Sequence, residues 1–269
     1  MSVPVLVVGL GAALLVSLVC GAGLGASGLG WGEVVRYLWA GLSGGSISAD
    51  KVSAYTIVWE LRFPRAVLAA VVGAGLAGIG VAVQAMVRNA LADPFVLGIS
   101  SGAAVGANAV LLFGALGALG VWALSAAAFG SALLAMALVY AIARTPRGLT
   151  PLRLVLTGTA LYYGFSAITT FMVFAAERGE AARSAMMWLL GSLGGARVPH
   201  AVRMLVGADH RRLLAVAPPA GAVLLVWVDI LSRTLLAPVE LPVGVLTAAV
   251  GVPCFVLLMR RNSYTFGGV

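Results

Sequence analysis

Few side chains in this sequence are charged, and most of those that are belong to arginine. Arg62 and Arg65 flank Pro64, and Asp229 stands four residues before Arg233. That last spacing puts both residues on one helical face, where a local ion pair is the natural role. Two roles fit Arg62 and Arg65. They are either anchors whose apolar stems snorkel along a membrane helix, or exposed guanidinium forks that donate to the carboxylates of an acidic partner.

Other chemistries lack their residues. There is no Gly-x-x-x-x-Gly-Lys-Ser/Thr loop to cradle a nucleotide, since the sole lysine, Lys51, is followed by Val52. His200 and His210 are ten apart with no cysteine or carboxylate at ligand spacing, so no metal site is expected. No Ser-His-Asp order or carboxylate pair marks an active site, and neither an enzyme nor a cofactor is expected. Cys20 and Cys254 lie inside apolar runs and read as buried, unpaired thiols.

The elements holding these residues are set by composition. With 61% of residues apolar, 10% charged and a mean hydropathy of +1.06, the chain lacks the polar surface to cover a water-soluble globule. Uncharged runs at 1–32, 66–87, 94–143, 154–176 and 241–259 each reach about one membrane span of roughly 20 residues, 94–143 reaches two, and 213–228 adds another if it runs on past Asp229. None alternates with period two, so they are helices rather than barrel strands. The first run is too long for a signal peptide and has nothing basic before it, so it reads as a retained span. The expected fold is all-α: one polytopic transmembrane helix bundle over residues 1–269, in contact with membrane lipid.

The net charge of +8 comes from arginines dispersed between helices, which is no nucleic-acid face. It sets orientation instead. Arg88, the group Arg144, Arg147 and Arg153, the pair Arg211 and Arg212, and the pair Arg260 and Arg261 fall in alternate loops, which places those loops in the cytoplasm. Arg36, Lys51, Arg62, Arg65, Arg178, Arg183, Arg197 and Arg233 then fall on or near the other side and need reasons of their own.

Within that frame residues 31–60 are external, and WGEVVRYLW suits an amphipathic helix lying in the interface. Asn89, Asp93 and Pro94 supply turn chemistry, with Pro94 opening the next helix. Gly98, Gly102 and Gly106 make a doubled G-x-x-x-G, which either packs one helix on its neighbour or lines a path or subunit contact. Seven long runs would leave Arg260 and Arg261 outside. An eighth crossing is therefore expected within 184–207, where SAMMWLLGSLGGA and VPHAVRMLVG are each half the length of a span.

Taken together, LRFPRAVLAAVVGAGLAGIGVAVQAMVRNALADPFVLGISSGAAVGA, LTGTALYYGFSAITTFMVF, MMWLLGSLGGA, VPHAVRMLVGADHRRLL and LAPVELPVGVLTAAVGVPCFVLLMRR resemble the permease subunits of bacterial importers for iron-siderophore complexes, haem and vitamin B12. The resemblance implies a multi-pass subunit of the bacterial inner membrane. It also implies cytoplasmic ATPase subunits, an extracytoplasmic substrate-binding protein and a second permease subunit, with the path along the dimer axis. By resemblance, Arg62, Arg65 and Arg233 receive glutamates of the binding protein. Asn89 and Leu91 match a cytoplasmic gate loop, Thr150 a second gate segment, and Trp188, Gly191 and Ser192 a broken segment at the outer vestibule. Where such permeases have proline, this chain has Ala90.

One departure is large. Such permeases carry two further spans and a coupling loop where Arg197 here meets Val198 directly, a difference on the order of 70 residues. Three readings follow: an ATP-driven importer permease, a shortened member that binds partners without transport, and a secondary carrier. Iron-siderophore complexes are the favoured cargo. A cysteine placed at position 147 is expected to react with a membrane-impermeant thiol reagent only after the membrane is opened; labelling of intact cells would invert the topology.

Overall fold

A computed structural model describes residues 3–25, 27–87, 93–146, 148–176, 179–191 and 213–261. Its regular elements are helical: α1 (Val3–Gly23), α2 (Trp31–Ser43), a short α3 (Val52–Tyr55), α4 (Phe63–Val87), α5 (Ile99–Phe113), α6 (Ala123–Ala143), α7 (Pro151–Phe174), α8 (Gly179–Leu189), α9 (Leu213–Thr234) and α10 (Val243–Arg261). Helices satisfy their backbone polar groups internally, which is what a hydrocarbon solvent demands. Among the described residues five helical stretches are long and apolar enough to cross a membrane: Val3–Gly23, Ala49–Val87, Gly117–Ala143, Pro151–Phe174 and Ala215–Thr234.

The second span begins earlier than the uncharged run indicates. Residues Thr56–Arg62 form a π-helical stretch that joins α3 to α4, and the Phe63 amide bonds back to the Val58 carbonyl, five residues earlier. Pro64 explains this, because it has no N–H to continue the ordinary ladder. The helix thus extends out of the apolar run and carries Arg62 and Arg65 with it.

Pro94 likewise opens something other than a full helix. Asp93 accepts a hydrogen bond from the Phe95 amide at 2.7 Å, and Pro94–Leu97 form a 3-10 turn that ends at Gly98. Gly98 and Gly114, at φ of 68° and 67°, bracket α5 and hold it to 15 residues. At about 22 Å that helix is shorter than a bilayer core. The α2 helix is amphipathic, as its sequence indicates. Val34, Tyr37 and Leu38 pack into a cluster with Ala22 and Val58, while Trp31, Val35, Trp39 and Leu42 form an exposed apolar stripe.

The chain divides into two compact units, Met1–Ala77 with Leu190–Val269, and Gly78–Leu189, the boundary falling inside α4. In the first, α1 packs along α9, and Ala69, Ala70, Ala222, Val226 and Ile230 form a core. Gly73 of α4 and Gly221 of α9 meet backbone to backbone, each filling the space the other's Cβ would need. In the second unit α5 packs on α6 and α7, and Val83, Leu97, Val139, Ala143 and Leu154 form the core. Without water to drive helices together, small residues that admit close approach supply the association.

Gly73→Val is expected to wedge α4 from α9 and to cost about 1–3 kcal/mol, as overpacking does. Gly75, whose Cβ position is open, is the control. Thermal unfolding of the two variants in detergent checks this: a clear fall for Gly73→Val and none for Gly75→Ala.

A candidate docking face built on an arginine–carboxylate network

The C-terminus of α1 leaves carbonyl groups without helical partners, as every helix end does. Two arginines supply the donors. Arg62 Nη1 donates to the Gly23 carbonyl at 2.9 Å and its Nη2 to Ser27 Oγ at 2.6 Å. Arg233 Nη2 donates to the Gly21 carbonyl at 3.0 Å. Cations at this position also face the negative end of the α1 dipole.

Arg65, one turn beyond Arg62, points to a different helix. Its Nε donates to Asp229 Oδ1 at 2.7 Å and its Nη1 to Glu240 Oε1 at 2.8 Å. Arg233 Nε lies 3.1 Å from Asp229 Oδ2. That contact is ionic without the alignment of a hydrogen bond, since Oδ2 has no hydrogen-bond partner. Asp229 therefore joins α4 to α9 through one carboxylate with two guanidinium groups on it.

The expected Asp229–Arg233 pair is present. What the sequence does not reveal is that Arg65 shares the same acid and that Glu240 belongs to the set. The arginines are also not exposed forks: 8% of Arg62 and 9% of the Arg65 and Arg233 side chains are accessible, because the chain's own acceptors surround them. Glu240, 49% exposed, is the open member of the network, while Asp229 is 1% exposed. Beside Glu240 the segment after α9 exposes Leu235, Leu236 and Val239.

The remaining candidates lie elsewhere. Gly102 and Gly106 pack against α6, where Ala135, Ala127 and Ser131 occupy the space of their missing side chains. Gly98 sits against the Gly158 carbonyl of α7, 3.0 Å from where its Cβ would be. These glycines act at helix contacts inside the second unit. Thr150 is the exposed residue preceding α7, its carbonyl accepting from the Leu154 amide at 3.1 Å. Trp188 is half-buried on the 11-residue α8, and the Gly191 carbonyl accepts from the Val243 amide at 3.2 Å. Asn89, Leu91 and Ser192 lie outside the described residues, as do Arg197, Val198, His200 and His210. Cys20 is unpaired and half-buried.

Comparison with known proteins settles the family. The chain matches the FecCD transport family over residues 13–198 and again over 195–261. It belongs to that family. It is 32% identical to the uncharacterized ABC transporter permease protein YvrB of Bacillus subtilis, over 93% of this chain and 91% of that one. Identity is 34% to the cobalamin import system permease protein BtuC of Halobacterium salinarum, covering 77% and 74% of the two chains. It is 31% to the Fe(3+) dicitrate transport system permease protein FecD of Escherichia coli, covering 77% and 86%. The fold is that of a metal-chelate type ABC transporter solved in an inward-facing conformation, with a TM-score of 0.74 at 23% identity, covering 97% of this chain and 100% of that one. As a FecCD member, the chain is a multi-pass transport permease of the cytoplasmic membrane.

The two FecCD matches meet at residues 195–198, where Arg197 adjoins Val198. The alignment with YvrB spans 322 positions but uses 93% of 269 residues, about 250, which leaves about 72 positions with no residue on this side. The segment expected from the family is thus absent from this member.

Asp229→Asn is expected to leave two buried guanidinium groups without their shared charge and to destabilise the protein by about 3–5 kcal/mol, the cost of breaking a buried pair from one side. Unfolding of the variant in detergent measures it. Stability equal to that of the parent would show that the carboxylate holds nothing together.

Proposed function

We propose that this chain is the membrane-spanning subunit of an ATP-driven importer, taking a metal chelate from an extracytoplasmic binding protein and passing it between two permease subunits, this chain and a second copy or a paralogue. The observation that carries this reading is a row of hydroxyls on α7. Thr159, Tyr163, Ser166 and Thr170 recur at intervals of four and three, and Tyr163 and Thr170 are exposed on a helix long and apolar enough to span. The Thr170 hydroxyl donates to the Ser166 carbonyl of its own helix at 2.9 Å, so the exposed Tyr163 hydroxyl is the group that calls for a second protein surface or a water-filled path. Ala160, Gly164 and Ala167, also exposed, run beside them and admit another backbone closely.

The cargo class is supported by relatives that are permeases for cobalamin, Fe(3+) dicitrate and iron(3+)-hydroxamate. Iron-siderophore complexes remain the favoured member of that class. Arg62, Arg65 and Arg233 form the face that meets the binding protein, and Asn89, Leu91 and Thr150 the cytoplasmic gate.

A second reading rests on the missing segment. ATP-driven closure moves membrane helices only through a rigid cytoplasmic element seated on each ATPase. The resemblance puts that element among the residues this chain lacks. What remains on the inner side is short: residues 88–93, 144–153, 208–212 and the tail from Arg260. A contact of well under roughly 1,000 Å² from such loops is weak or transient. The chain then docks its binding protein and couples poorly to ATP hydrolysis.

Reconstitution into liposomes with the ATPase and binding protein of the same system tests both readings. ATP-dependent uptake well below that of a version with the two spans and loop restored is expected. Equal uptake would show the shortening to be harmless. Uptake driven by an ion gradient without ATP would replace the importer reading by a secondary carrier.

A further inference from the structure

We propose that Glu240 is a displaceable occupant of Arg65, holding the place that a carboxylate of the docking partner takes. The inference rests on the reading of this face as the docking surface and adds the residue that regulates it.

The network has one fixed acid and one open acid. Asp229 is 1% exposed, lies within α9 and is held by Arg65 and Arg233 together. Glu240 is 49% exposed, lies in the non-helical connection between α9 and α10, and contacts Arg65 through one oxygen at 2.8 Å. Arg62 and Arg233 are occupied by the carbonyls at the end of α1. Among the described residues, Arg65 is therefore the arginine whose outward donor is covered by a side chain able to leave.

Exchange explains how a nearly buried guanidinium receives a partner at all. Removing one member of a buried pair is costly, because the other charge is left without compensation. Replacing Glu240 by an incoming carboxylate keeps two acids on Arg65 throughout, so neither association nor release passes through an unpaired Arg65. The released Glu240 faces water, at the low cost of an exposed group. The same swap limits affinity, since the partner gains only the difference between two carboxylates, and this suits a binding protein that must leave after delivery. Exposed Leu235, Leu236 and Val239 flank the exchange point and supply apolar contact beside it.

Glu240→Gln tests this, with the full chain in nanodiscs and the substrate-binding protein of the same transport system as the probe. Removing the competing charge is expected to tighten binding about two- to fivefold at low ionic strength, the range of one exposed ion pair. Glu240→Asp keeps the charge but shortens the reach to Arg65, and is expected to tighten binding by a smaller factor. Should Glu240→Gln fail to insert, the Glu240→Asp variant decides by itself. Unchanged or weaker binding in the variants overturns the proposal. The docking reading has its own control. If parent affinity is insensitive to salt and to Glu→Gln changes on the binding protein, that reading fails; if the parent responds to both while the Glu240 variants do not tighten binding, only the exchange fails.

Discussion

A single carboxylate, Asp229, sets the terms for one end of this protein. It is buried within a helix that spans the membrane by length and composition, where an isolated charge would be very costly, and it is retained because Arg65 and Arg233 both reach it. Three guanidinium groups share this end with two carboxylates, Asp229 and Glu240. The surplus cation is met by the α1 carbonyls, whose helix end carries about half a negative charge. The end of α1, the start of α4 and the end of α9 are thus fixed at one level by an electrostatic account that nearly balances. A change to any one member transfers its cost to the others.

Part of this was legible in the sequence. The apolar runs foretell helices because a bilayer leaves them no other form, and WGEVVRYLW foretells α2 because its polar and apolar residues segregate by face. Asp229 and Arg233 are readable as a pair because they stand one helical turn apart. The Arg65 to Asp229 contact is not, since 164 residues separate them and no local rule connects them. The π-helical stretch was hidden for a different reason. Pro64 marks a break in the ladder, but whether the helix ends or shifts its register depends on packing around Trp59 and Phe63, whose rings stack 5.2 Å apart. Gly73 and Gly221 were equally illegible, two glycines among 35, distinguished only by facing each other.

The two units solve helix association differently. In the first, close backbone contact at Gly73 and Gly221 is reinforced by ions at the helix ends. In the second, α5 relies on small residues against α6, with its ends stopped by glycine caps. On α7 of this unit Arg153, Tyr163 and Thr170 are exposed polar side chains. Contacts between small residues tolerate adjustment along a helix more readily than buried ion pairs do.

The network also bears on what the shortened chain has lost. Arg233 reaches the end of α1 only if α9 runs in the same direction as α1, and Arg65 meets Asp229 only if α4 begins at the level where α9 is ending. Loss of one span, or of three, would reverse α9 and carry Asp229 and Arg233 to the opposite side from Arg62 and Arg65. Loss of two leaves every later helix in its original direction. About 72 absent positions accommodate two spans of roughly 20 residues with their connecting loops, more than one span needs. The shortening and the intact network thus explain each other: an even number of crossings can leave while the charged face survives, because each charge on that face depends on the direction of its helix and not on the segment that is gone.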